Sequence, residues 1–272
     1  MNLFAAWKEF RKGKGKKADV QEFEMRLENN VFDLHYALKN GSYQHGGYES
    51  FYVSDPKRRH IHKASVRDRL IHHAVVRILT PLFEKKFIFD SWSCRKGKGT
   101  LGAVDRFQQL AWRFSRNNTQ TVWILKLDIR KCFASVDQEI FLNIIVLTIH
   151  DTKALALFRK IIKSFPKGLP LGNLTSQLFI NIYLNELDQF IKHELKITGY
   201  IRYADDFILI HPDKELLIDR LEKINIFLRK QLRLDVHPKK IVLKIYAGGI
   251  YYILYVCFNH HIFLRNKKKR RM

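Results

Sequence analysis

Gly199-Tyr-Ile-Arg-Tyr-Ala-Asp-Asp-Phe-Ile-Leu-Ile-His211 is the stretch whose reading decides the fold. Tyr200 to Tyr203 and Phe207 to Ile210 are rich in β-branched and aromatic residues, which predicts two short strands joined by a tight turn at Ala204 and Asp205. The carboxylates of Asp205 and Asp206 then sit at the tip of a hairpin. Two adjacent acids raise each other's pKa, so such a pair inside a fold calls for a cation between them. Magnesium is the natural candidate, because it takes hard oxygen ligands and is usually held by one or two carboxylates plus substrate phosphates. Aspartate is also an ordinary turn residue, and a solvated turn tip is the competing reading. The rest of the chain has to decide between them.

Working outward, the apolar run Thr121 to Asp128 predicts a strand with a third carboxylate, Asp128, at its C-terminal end, where open α/β sheets commonly place their sites. Ser135-Val-Asp-Gln138 predicts a capping box for a helix starting near Val136. Two-metal phosphoryl transfer needs a few carboxylates around cations about 3.5–4 Å apart. Asp128, Asp205 and Asp206 supply that set if their strands are neighbours. Asp137 competes for the third place but reads better as a favourable charge at a helix start. Between the acids, Gly168 and Gly172 give a loop with room for close backbone approach. A long helix is expected from Ser176, with Leu178, Ile182, Leu187, Phe190 and Ile191 near one face and its amino-terminal amides open to a phosphate or base edge.

Composition narrows the partner. The 272 residues carry 49 Lys and Arg against 26 acids, a net charge of +23, which exceeds what solubility needs and favours nucleic acid over a membrane surface. Hydrophobic residues at 46% exclude a disordered chain. The most apolar runs, Ile140 to Ile149 and Ile250 to Phe258, fall short of the roughly 20 residues of a membrane span. With no evident secretory signal in residues 1–17 and three isolated cysteines, Cys94, Cys132 and Cys257, a reducing cytoplasm is expected, each thiol buried and apolar.

Arg11 to Lys17 is a basic tract, followed by a helix with Phe23, Leu27, Phe32 or Val31, Leu34 and Leu38 at near-helical spacing. From Ser54 to Phe89, cations alternate with apolar residues as in a hairpin, and Val66 to Ile78 continue as a helix that Pro81 should end. His72 and His73 are adjacent and point to different helix faces, which argues against a shared zinc. Ser91 to Gly102 is glycine-rich and basic but lacks the spacing of a nucleotide P-loop. Arg95, Lys96 and Lys98 are therefore assigned to a nucleic-acid backbone.

Tyr203-Ala-Asp-Asp206, the strand ending in Asp128 with Phe133 five residues on, and Gly172-Asn-Leu-Thr-Ser-Gln177 together resemble a reverse transcriptase of the retron and group II intron type. The apolar residue before Gly172 and the Gln after Ser176 bring it nearest to the enzymes of diversity-generating retroelements. The likeness covers roughly residues 50–265. It implies an α+β fold of right-hand polymerase fingers and palm, an antiparallel palm sheet packed on helices. The N-terminal extension and fingers would take residues 1–120, with fingers elements at about 50–120, and the palm 121–265. A basic tail, 266–272, stands where a thumb would begin, so the thumb is expected to be largely absent.

The resemblance further implies two magnesium ions held by Asp128, Ile129, Asp205 and Asp206, an RNA template, a DNA or cDNA primer and a dNTP. Lys57, Arg59 and Lys240 would meet the triphosphate, with Leu171, Gly172 and Gln177 beside the nucleotide. Phe133 would be the steric gate against a ribose 2′-hydroxyl; a core aromatic before a helix is the alternative. Leu171 replaces the usual glutamine, implying error-prone copying, particularly opposite template adenine. One departure is Tyr252-Ile-Leu-Tyr255 where the family shows Phe-Leu-Gly-Tyr. Two functions stay open on these residues: a working polymerase relying on an accessory protein or RNA, and a truncated RNA-binding relic without turnover.

Overall fold

The computed structural model describes residues 2–54 and 58–264, so Lys57 and the basic tail lie outside the described residues. In chain order the helices and strands are α1 (Asn2–Arg11), α2 (Ala18–Met25), α3 (Leu27–Lys39), β1 (Tyr48–Ser54), β2 (Arg58–Ala64), α4 (Val66–Glu84) and α5 (Thr100–Phe114). Then come β3 (Trp123–Asp128), α6 (Cys132–Ser135), α7 (Gln138–Val146), α8 (Thr152–Lys163), α9 (Leu174–Gln189), β4 (Tyr200–Tyr203) and β5 (Asp206–His211). Last are α10 (Lys214–Leu232), β6 (Val242–Ile245), β7 (Ile250–Tyr252), β8 (Tyr255–Cys257) and β9 (Ile262–Leu264). All strand pairings between these elements are antiparallel, giving the mixed α+β class expected from the sequence.

The chain divides into two compact units that interleave: residues 1–86 with 133–183, and 87–132 with 184–272. Of the three crossings, two fall inside α6 and α9 and the third follows the end of α4.

In the first unit, α1 lies on α4 and buries Leu3, Ala6, Trp7 and Phe10. Helix α4 opens on Ser65, whose hydroxyl accepts from the Asp68 amide, and it runs through Pro81 to Glu84 instead of stopping there. Pro81 is exposed and forfeits one backbone bond, while Leu79 and Phe83 on either side are buried and hold the turn. Strand β1 pairs with β2 from Tyr48↔Ala64 to Ser54↔Arg58. The cap of α7 is Asp137, accepting from the Glu139 and Ile140 amides at 3.0 Å, and not Ser135. Gln138 turns away from the box to donate to the Ile162, Phe165 and Gly168 carbonyls.

The second unit is built on the sheet β4-β5-β3-β6. Antiparallel partners share a face, so Ile124, Ile201, Ile208 and Ile210 pack together against α5 and against Tyr246, Ile250, Tyr252 and Cys257. Leu125, Leu127, Phe207 and Leu209 are fully buried on the other face. Strands β7, β8 and β9 form a separate small sheet. Its β7–β8 turn is Ile253-Leu254, and the left-handed φ of +56° falls on the β-branched Ile253, not on Leu254 at the departing position. Among the described residues no helix is long and apolar enough to cross a membrane. Cys132 and Cys257 are buried, whereas Cys94 is exposed because it sits in the turns of a glycine-rich loop with no apolar neighbour in sequence to cover it.

Candidate active site

Strand β3 is central in its sheet, and its last residue, Asp128, lies directly opposite Asp206, the first residue of β5. Directly opposite residues project to the same face. Tyr203 pairs with Asp206, so β4 and β5 are joined by a two-residue turn, Ala204-Asp205, with Ala204 at a left-handed φ of +54°. The Ile129 amide donates to the Asp205 carbonyl at 3.0 Å, tying the end of β3 to that turn. Asp128, Asp205 and Asp206 are thus brought to one end of one sheet, with the Ile129 backbone beside them.

What fixes the turn is a buried ion pair that sequence reasoning missed. Arg202 and Asp188 are both 0% exposed, and the guanidinium is bidentate: Nε donates to Asp188 Oδ1 at 2.8 Å and Nη2 to Oδ2 at 2.6 Å. Tyr200 donates its hydroxyl to the same Oδ1 at 2.7 Å. Arg202 Nη1 also donates to the Ala204 carbonyl at 3.0 Å, and Nη2 to the Ser91 hydroxyl at 3.1 Å. Despite burial, Asp188 holds the guanidinium firmly charged. An arginine in the middle of Tyr-Ile-Arg-Tyr, where the pattern calls for an apolar residue, was the available signal.

Two lysines stand over the acids. Lys126, two residues before Asp128 and on the same face of β3, donates to Asp206 Oδ2 at 2.7 Å. Lys240, on the 3₁₀ turn Pro238–Lys240, donates to Asp128 Oδ1 at 2.6 Å, and the His237 amide anchors that turn to the Asp128 carbonyl at 2.7 Å. Asp206 Oδ1 is buried and has no hydrogen-bond partner. Burial pushes the Asp206 carboxyl up to about 6; Lys126 pulls against this, while Asp128 and Asp205 add to it. Among the described residues no three His, Cys, Asp or Glu side chains are gathered as a ready ligand set. Lysine ammonium groups hold two of the three carboxylates instead.

The remaining expected site residues separate by unit. Arg95 and Lys98 share the second unit with the acids but are spent on their own loop: Arg95 donates to the Ile88 and Ser91 carbonyls, and Lys98 to the Phe89 carbonyl, all at 2.7 Å. Lys98 also lies 3.6 Å from the Phe89 ring centre. Lys96 is exposed. In the first unit, the loop before α9 is stitched to β2: the His62 amide donates to the Leu171 carbonyl and Asn173 to the His62 carbonyl, both at 2.8 Å. Gly172 lies against Ile61, and exposed Arg59 is two residues before it. Gln177 is exposed in the first turn of α9. Phe133 is half-buried in α6, and its carbonyl accepts from the Leu169 amide at 2.8 Å.

A family model described as reverse transcriptase (RNA-dependent DNA polymerase) matches residues 54–259, most of the chain and all of the geometry above. The chain belongs to the reverse transcriptase family. Among its relatives, it is 25% identical over 229 residues to the group II intron-encoded protein LtrA of Lactococcus lactis subsp. cremoris, covering 78% of this chain and 37% of that one. It is likewise 25% identical over 232 residues to Protein YkfC of Escherichia coli (strain K12), covering 69% of this chain and 60% of that one. The chain therefore spans less than two thirds of either relative. Telomerase from Candida tropicalis in complex with a TWJ fragment of telomeric RNA superposes with a TM-score of 0.63 at 14% identity, over 84% of this chain and 45% of that one. At that identity the likeness shows a shared fold.

Proposed function

We propose that this chain is an RNA-directed DNA polymerase that extends a DNA or cDNA primer on an RNA template. The observation that carries the reading is the strand register placing Asp128 opposite Asp206, with Asp205 in the adjoining turn. An all-oxygen donor set with one buried, unpartnered carboxylate oxygen suits a hard divalent cation. Asp128, Asp205, Asp206 and the Ile129 carbonyl would hold two magnesium ions, which activate the primer hydroxyl and stabilise the leaving pyrophosphate. Lys240, 40% exposed on its short turn, would exchange Asp128 for a nucleotide phosphate. Arg59, with Lys57, would grip the triphosphate, and Phe133 would crowd a ribose 2′-hydroxyl. Gly172 and Gln177 would flank the incoming nucleotide, and Lys96, with Arg95 and Lys98 shaping its loop, would meet the nucleic-acid backbone. We assign residues 1–120 to an N-terminal extension and fingers and 121–265 to the palm.

Primer extension with Mg2+ and an RNA template tests this. The parent should extend, and Asp205→Asn should lose at least about a thousandfold, the scale of removing a transition-state electrostatic contact. Equal background incorporation by both would leave an RNA-binding relic. The finer assignment, to an error-prone enzyme of a diversity-generating retroelement, rests on Leu171 and Gln177. An apolar side chain cannot supply the hydrogen bonds of a glutamine beside a base. Sequenced cDNA should carry errors concentrated opposite template adenine, reduced in Leu171→Gln; a uniform low error rate would defeat the assignment.

A further inference from the structure

On β3, positions 124, 126 and 128 share one face. Ile124 is fully buried in the core and Asp128 stands at the site. Lys126 lies between them, flanked in register by Ile208 and Val242, and its side chain is only 19% exposed. An ammonium group in such a place is costly without an anion. Asp206 supplies it, giving Oδ2 to Lys126 while Oδ1 stays buried and without a partner. Lys240 differs in kind: it is 40% exposed on a short turn and can leave Asp128 for another anion. Lys126 sits in the central strand of the sheet, with apolar neighbours on both sides of it.

We propose that Lys126 is a resident counter-ion of Asp206 that weakens the centre's hold on divalent cations, leaving Asp128 and Asp205 as its principal ligands. The proposal rests on the reading of these acids as a divalent-cation centre. Its consequence is a charge competition: a cation approaching Asp206 meets an ammonium group already bound to one carboxylate oxygen. The lysine keeps Asp206 compensated through each cycle of loading and release, and favours departure of the cation with product. Lys126 is in this sense a positioning residue, acting through Asp206.

The test is Mn2+ binding to the full chain, read as free Mn2+ by electron paramagnetic resonance, so that no turnover is required. Lys126→Met keeps the apolar stem and removes the charge; it should tighten Mn2+ by about tenfold, the scale of one unit charge at short range in a partly screened site. In an Asp206→Asn background the same change should tighten Mn2+ by less than it does in the parent, because no carboxylate is left to release. Lys126→Arg keeps the charge and should bind like the parent. Asp205→Asn should weaken Mn2+ by at least about tenfold. A Lys126→Met protein that binds no tighter, or that tightens equally without Asp206, overturns the proposal while the parent's Mn2+ binding keeps the divalent-centre reading. No Mn2+ binding by parent or variant overturns both. Circular dichroism in the near ultraviolet confirms that each variant is folded.

Discussion

Asp188→Ala should cost about 3–5 kcal/mol of folding stability, the scale of stranding one member of a buried ion pair. The carboxylate lies on α9, fully buried, and accepts from Tyr200 and twice from Arg202. Arg202 is itself 0% exposed and does not give up its proton within a protein, so it cannot escape by neutralising. Urea denaturation of parent and variant reads the loss; a midpoint change worth less than about 1 kcal/mol would contradict this account. The double replacement Asp188→Leu with Arg202→Met separates stability from geometry. Exchanging a buried pair for apolar residues of similar size is often near neutral, so most of the stability should return. The Ala204 carbonyl would still lack its Arg202 donor, and with it the turn that carries Asp205 loses its side-chain anchor. Primer extension by the double variant should therefore stay well below the parent although the protein is folded.

The contrast between Asp128 and Arg202 shows what the sequence could and could not carry. The hairpin Tyr200–Tyr203 and Asp206–His211 was legible because its strands are rich in β-branched and aromatic residues and its turn is marked by Asp-Asp. Strand β3 was legible as an apolar run, with its acid standing out at the end. Pairing partners are another matter. Nothing local says that Asp188, fourteen residues before Arg202, will bury its carboxylate against it, or that Lys126 will reach Asp206 across the sheet. Those contacts are properties of register and helix placement, which periodicity does not encode. Helix α1 was not read from the sequence, where the basic tract Arg11 to Lys17 took the attention, although Leu3, Ala6, Trp7 and Phe10 repeat at helical spacing. Pro81 misled in the opposite direction: a rule about backbone bonding lost to burial of Leu79 and Phe83. The interleaved units were not legible either, since two of their three crossings lie inside helices.

Gly168→Ala is expected to destabilise the protein by about 2–5 kcal/mol, from left-handed strain together with overpacking. The position has φ +68°, and a Cβ built there would meet the Phe133 carbonyl oxygen at 2.4 Å and the Ala134 carbonyl carbon and Cα at 2.7 and 2.8 Å. All three are backbone atoms, so no rotamer change relieves the contact. The chain must separate from α6 instead, and the bond from the Leu169 amide to the Phe133 carbonyl is the first to go. Leu171 and Asn173, a few residues on, hold β2 by its His62 backbone, so the displacement reaches the strand that carries Arg59. Thermal unfolding reads the stability loss. Incorporation of ribonucleotides relative to deoxynucleotides reads the second effect, and selectivity should fall because Phe133, the proposed gate, is no longer fixed. Gly172→Ala provides the control. Its φ is +105° and its Cβ would meet Ile61 Cγ2 at 2.6 Å, a side-chain methyl. Pairing it with Ile61→Ala removes that contact and should recover part of the loss. No side-chain replacement at Phe133 or Ala134 can do the same for Gly168→Ala. If Phe133→Ala did restore it, the constraint would lie in the aromatic ring and not in the backbone, and the gate would owe its position to packing alone.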